Sequence, residues 1–295
     1  MNERSSLSPT DSVLYDEPAD HVARITLNRP EKRNAQDTSF LYQLNAAFDR
    51  AAIDDNVKVI VLASNGPHFS AGHDLMEPDP VGAMGKWRTV GTWCGFGCAG
   101  AESQMAREKE LYLGLCERWR NIPKPTIAQV QGKCIAGGMM LAWPCDIIIA
   151  SENASFQDNT VAMGVGGVEF FAHPWELGIR QAKEFLFTGG WLSARNAWRM
   201  GMVNHVVADD ELAEFALGMA RTISSRPMFA LKLAKEALNA AQDAQGRVNA
   251  MQTAFALHQL VHSHNMQRFG MLVDPSGIPS IVKSGKLTGG RKDPP

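Results

Sequence analysis

Residues 57–64, VKVIVLAS, are apolar at nearly every position after Lys58, and this run constrains the chain more than any other feature. A strand that alternates apolar and polar residues can leave one face in water, whereas a strand apolar on both faces must be covered on both. The chain therefore has to stack other elements against a buried sheet. PTIAQVQG (125–132) and CDIIIAS (145–151) repeat the strand theme. HVARITLN (21–28), rich in β-branched residues, runs into the turn signal NRPEKRNA.

Helical spacing follows each loop. From Asp37, the positions Phe40, Leu41, Leu44, Ala47, Phe48 and Ala51 recur on one face, with Asp37 or Thr38 placed to cap the start of a helix of about four turns. SARNAWRMG (193–201) opens on a serine cap and stops on glycine. VNHVV is a short strand, and three helical stretches come after it, the second with Pro227 at its first turn and the third running from about residue 247 to 269. The expected organisation is a disordered polar arm over 1–20, an α/β core over 21–207, a helical region over 208–270 and a flexible tail over 271–295.

Composition narrows the function. With 29 basic against 31 acidic residues, the net charge is −2, and nothing points to a nucleic-acid or membrane-surface protein. No run is long and apolar enough to cross a bilayer, and the first 20 residues lack the apolar core of a signal peptide. Five cysteines without a CxxC pair suit reduced thiols, so a cytoplasmic location is expected. GFGCAG (95–100) matches a dinucleotide fingerprint but follows no strand. His258 and His262, four apart on a helix, have the spacing of metal ligands. With no carboxylate near them in sequence, they are read as surface or interface histidines, and no metal is expected.

Five segments in fixed order carry the chemistry: NRPEKRNA (28–35), FSAGHDL (69–75), PKPTIAQVQGKCIAGGMMLAWPCDIIIAS (123–151), GVGGVEFFAHPWELG (164–178) and LFTGGWLSARNAWRMGMVNHVV (186–207). In these the chain resembles the enoyl-CoA hydratase/isomerase, or crotonase, superfamily over roughly residues 20–245. The resemblance implies an α/β crotonase-like spiral of ββα repeats and a helical C-terminal region that forms a homotrimer or homohexamer. It also implies a coenzyme A thioester as substrate, with no separate cofactor.

It implies a site as well. Two backbone N–H groups at helix starts would stabilise the thioester oxyanion, and by motif position these are the amides of His73 and of Gly137 in Ala136-Gly137-Gly138. Lys32, Arg33 and Ala35 would line the coenzyme A region, with Ala71, Asp74, Leu75 and Gly138 contributing mostly through backbone. Hydratases of the family carry two glutamates at positions occupied here by Met140 and Thr160, which cannot act as carboxylates. The acid–base group must then come from elsewhere. Asp158, Glu169, His173 and Glu176 are nearest, and Glu169 is preferred because other branches of the superfamily place a working carboxylate near the GVGG turn. Three readings stay open: a hydratase or isomerase type of enzyme, another crotonase reaction such as isomerisation or carbon–carbon bond chemistry using Glu169 or Asp158, and a non-catalytic acyl-CoA binding protein.

Overall fold

A computed structural model describes residues 11–91 and 93–277. The strands are β1 (Val13–Ala19), β2 (Val22–Leu27), β3 (Val59–Ser64), β4 (Thr126–Val130), β5 (Lys133–Ile135), β6 (Ile147–Ser151), β7 (Ser155–Gln157), β8 (Leu192–Ser193) and β9 (His205–Val207). One sheet has the order β1-β2-β3-β4-β6-β9, parallel throughout except for the β1–β2 pair. The smaller sheet has the order β5-β7-β8. Helices α1 (Thr38–Ile53), α2 (Ala101–Glu108), α3 (Leu115–Arg120), α4 (Met139–Ala142), α5 (His173–Leu177), α6 (Ile179–Thr188) and α7 (Ala194–Met200) connect them. The C-terminal part is helical: α8 (Leu212–Ser224), α9 (Met228–Ala244) and α10 (Arg247–Phe269).

The apolar run of β3 now has its explanation. Successive side chains of a strand point to opposite faces. Ile60 and Leu62 join the core formed with Phe40, Leu44 and Phe48 of α1, whereas Val59 and Val61 face Leu212, Ala216 and Ala220 of α8. Each such side chain contributes about 1.5–3 kcal/mol when fully buried, so neither face can be polar. Asp37 caps α1 by accepting a hydrogen bond from the Phe40 amide at 2.8 Å, and Ser193 caps α7 in the same way through Asn196.

Two expected boundaries need correction. Residues 13–19, assigned to the disordered arm, form the edge strand β1; Pro18 lies where the register with β2 shifts between Asp16 and Ala19, a place where a missing N–H costs no ladder bond. Residues 1–10 lie outside the described residues. At the other end the tail does not begin at 271: the Asp274 amide donates to Met163 O at 2.8 Å, and Leu272 and Val273 line a cavity shared with Glu169 and His73. Residues 278–295 are outside the described residues. Among the described residues no helix is long and apolar enough to cross a membrane.

Candidate active site

Two loops meet at Gly72 and Gly137. Gly72, with φ of 87°, precedes His73, and a Cβ on Gly72 would lie 2.8 Å from Ile135 O and 3.1 Å from the amide nitrogen of Gly137. A Cβ on Gly137 would lie 3.3 Å from the His73 amide nitrogen. Glycine is required at this contact because the two backbones touch. Ala136, a non-glycine residue at φ of 44°, turns the chain into the 3₁₀ segment Ala136–Gly138. Gln36 Nε2 donates to Gly137 O at 2.8 Å and fixes the turn. The Gly137 amide belongs to the first turn, outside the intrahelical bonds, and the His73 amide donates to no backbone carbonyl among the described residues. Two adjacent amides are thus free to donate.

His73 and Gly137 both line a cavity of about 340 Å³. Of the residues singled out from sequence, Ala71, His73, Asp74, Leu75, Gly137, Thr160 and Glu169 line it, whereas Lys32, Arg33, Ala35, Gly138, Met140 and Asp158 do not. Lys32 is half exposed and pairs at 3.1 Å with Asp74, which lines the cavity; Arg33 is exposed on the same loop, next to the half-buried Ala35. The buried guanidinium of Arg29 does more to set this loop, bridging Asp37 at 2.9 Å, Asp74 at 3.2 Å and the carbonyl of Ala35 at 2.7 Å. Met140 is packed in the core and Gly138 fits against Ser70 O.

Asp158 has no free capacity for proton transfer. It is fully buried and accepts hydrogen bonds from the Thr160 amide and hydroxyl at 3.0 and 2.5 Å, from the Val168 amide at 3.3 Å and from His173 Nε2 at 2.9 Å. Burial alone would raise its carboxyl, but the His173 and Thr160 hydrogen bonds hold it below the ordinary range. Its role is to pin the turn next to Glu169. Glu176 faces a separate cleft beside Arg120 and Trp143.

Glu169 is different. It is buried, its Oε2 has no hydrogen-bond partner, and it stands 3.8 Å from His73 Nε2, which has none either. Burial, reinforced by the negative charge of Glu108, pushes the Glu169 carboxyl well above the carboxylate range. Desolvation lowers the His73 imidazole to about 3, so it is neutral, stacked on Tyr112 at 3.9 Å between ring centres.

The remaining wall was hidden in the sequence. Between α2 and α3 the helix widens into a π-helical turn, Lys109–Gly114, an irregularity often found at functional sites. Arg107, Glu108 and Tyr112, in and beside this turn, face the cavity, where Arg107 pairs with Glu77 at 2.9 Å. His258 and His262 come from α10 on the opposite side. They are buried in the cavity wall, not at a surface, and Glu108 supplies the carboxylate that no sequence neighbour offered: His262 Nε2 lies 3.3 Å from Glu108 Oε1, and His258 Nε2 lies 3.6 Å from Glu108 Oε2 and 3.6 Å from Glu169 Oε1. Burial disfavours the charged form of His262, but the Glu108 carboxylate outweighs it and raises the imidazole to about 9. The spacing of the two histidines was a usable signal; Glu108, about 150 residues upstream in a charged helix, gave none.

The family profile described as enoyl-CoA hydratase/isomerase matches residues 17–82 and 95–273. EchA13 of Mycobacterium tuberculosis, which carries an enoyl-CoA hydratase name, is 43% identical over 251 residues, 82% of this chain and 78% of its own length. Two solved structures named as probable enoyl-CoA hydratases are similar throughout. The one from Mycobacterium thermoresistibile is 47% identical with a TM-score of 0.81, covering 88% of this chain and 98% of the other; the one from Mycobacterium smegmatis is 46% identical with a TM-score of 0.80, covering 89% and 98%.

Proposed function

The chain belongs to the enoyl-CoA hydratase/isomerase family, and from that premise we propose that it binds an acyl-CoA thioester with its carbonyl oxygen between the amides of His73 and Gly137 and moves a proton at the acyl group through Glu169. One observation carries this reading: beside two free amides, the cavity holds a carboxyl oxygen and an imidazole nitrogen 3.8 Å apart, both buried and both without partners. Orphaned polar atoms are rare in folded proteins and are found where a ligand or a reaction completes them.

Donors of this kind are commonly worth about 10²–10³ in rate each, because they meet charge that grows only as the enolate forms. In its ionised form Glu169 takes the α-proton and returns it, or delivers it to a neighbouring carbon of the same acyl group. A single free carboxyl suits that shuttle better than hydration by two carboxylates, since Met140 and Thr160 occupy the usual glutamate positions and Asp158 and Glu108 are both engaged. Lys32, which pairs with the cavity-lining Asp74, and its neighbour Arg33 supply the positive charge for the phosphates of coenzyme A. The expected outcome is that the protein in deuterated buffer exchanges the α-protons of saturated acyl-CoA thioesters, read by proton NMR. A panel of straight-chain and aryl acyl-CoA esters that all exchange no faster than the buffer blank would overturn the reading.

Assembly as a trimer or a dimer of trimers is part of the same proposal. Phe229, Leu233 and Leu238 of α9 and Leu257 and Leu260 of α10 are exposed apolar side chains on the C-terminal helices, more than a lone monomer ordinarily leaves in water. Light scattering at micromolar concentration is expected to give a mass that is a multiple of three chains. A monomer would remove this part of the proposal.

A further inference from the structure

We propose that Glu108, His258 and His262 form a binding site for a divalent cation of the zinc class in the wall of the acyl cavity, apart from the two amides that meet the thioester oxygen. One oxygen or nitrogen from each residue lies within 4.8 Å of the others, and all three residues are buried. Two histidines and one glutamate are a donor set that zinc takes when it keeps a further position open. Four-coordinate zinc with bonds of about 2.0–2.1 Å spaces its ligand atoms about 3.3–3.4 Å apart; Glu108 Oε1 lies 3.3 Å from His262 Nε2, and its other oxygen, Oε2, lies 3.6 Å from His258 Nε2, so the carboxylate reaches both rings.

The surroundings are those of a metal site. His258 Nδ1 donates to Gly167 O at 2.9 Å and His262 Nδ1 to Leu272 O at 2.6 Å, so both rings are held with Nε2 turned toward Glu108; the proton that His262 Nε2 shares with Glu108 in the metal-free site is released to solvent when the ion takes that nitrogen. Backbone carbonyls fix metal-ligating histidines in this manner. The Glu108 carboxylate in turn accepts hydrogen bonds from Gln104 and Gln259, as ligating carboxylates do. His258 supplies the independent observation. With its Nδ1 donating to Gly167 O, the Nε2 atom presents a buried lone pair, and it has no hydrogen-bond partner, the carboxylates of Glu108 and Glu169 standing too far off at 3.6 Å. A buried lone pair beside the Glu108 carboxylate offers a cation two of the donors it needs. The cavity supplies an entry path and leaves the open coordination position to water or to an oxygen of the acyl group.

The site is tested without substrate, so its failure is separate from any failure of the acyl-CoA reading. The full-length protein is freed of metal with chelator, then titrated with Zn²⁺ by calorimetry and with Co²⁺ by visible absorption. The expected result is one ion per chain, a tetrahedral Co²⁺ spectrum and a Zn²⁺-dependent rise in Tm. His262→Ala and Glu108→Gln should each weaken uptake by at least the roughly 10- to 100-fold that loss of even an outer-shell partner costs, while His264→Ala, at an exposed position on the same helix, should not. Absence of uptake by the wild type overturns the proposal, whether or not the variants fold. Uptake undiminished in every variant that folds overturns it equally, because the ion then sits elsewhere.

Discussion

Glu169→Gln is expected to slow α-deuterium exchange into bound acyl-CoA by about 10²- to 10⁴-fold, the range that a positioned general acid or base contributes, which corresponds to about 2.7–5.5 kcal/mol in the barrier. Glutamine keeps the size and the hydrogen-bonding oxygen of the side chain but can neither take nor return a proton. The affinity for the thioester should change little, because the two amides and the loop carrying Lys32 and Arg33 remain. The decisive measurement is therefore a split: exchange rate down by orders of magnitude, Kd for the acyl-CoA within a few-fold of wild type, and Tm preserved. If exchange persists at the wild-type rate, Glu169 is not the group that moves the proton.

The second large effect is on stability. Asp158→Ala is expected to cost about 3–5 kcal/mol, the penalty for removing one member of a buried, hydrogen-bonded pair and leaving its partners unmatched. His173 Nε2, the Thr160 hydroxyl and amide and the Val168 amide all lose their acceptor in a site closed to water. For a chain of this size that lowers Tm by on the order of 10 °C. The pH dependence follows from the sign of the shift. The folded carboxyl of Asp158 is held below its ordinary value of 3.8, with burial opposing and the His173 and Thr160 hydrogen bonds prevailing. A depressed carboxyl contributes stability that is fully present above the ordinary value and is lost as pH falls through the folded one. Scanning Tm from pH 7 to pH 3 should show a steeper acid limb in the wild type than in the alanine variant. Equal Tm values for the two proteins at pH 7 would remove Asp158 from its role as the anchor of the Glu169 turn. Because Val168 is the residue before Glu169, the variant should also exchange more slowly even where it remains folded.

Asp158 and Glu169 differ in a way that sequence position could not express. Both are acids within ten residues of the second family glutamate position, and both are buried. One meets four donors and becomes a structural anion; the other meets none at Oε2 and stays available. What decides between them is the path of the turn from Thr160 to Phe171, which points one carboxyl into the packing and the other into the cavity.

The sequence by itself determined the covered sheet, the helix that Asp37 caps, the glycine stops and the helical C-terminal part, because each is written in local periodicity or in residues with distinctive backbone preferences; the pairing of the His73 and Gly137 loops came from the family resemblance. It misplaced β1, whose Asp, Glu and Pro look like a solvated arm but suit an edge strand. Only the tertiary structure decided the composition of the cavity wall. Glu108 and Tyr112 face the cavity from the end of α2 and from the π-helical turn that follows it, and His258 and His262 arrive from a helix about 150 residues later. Desolvation and through-space charge act between groups that folding brings together, and their separation along the chain carries no information about either.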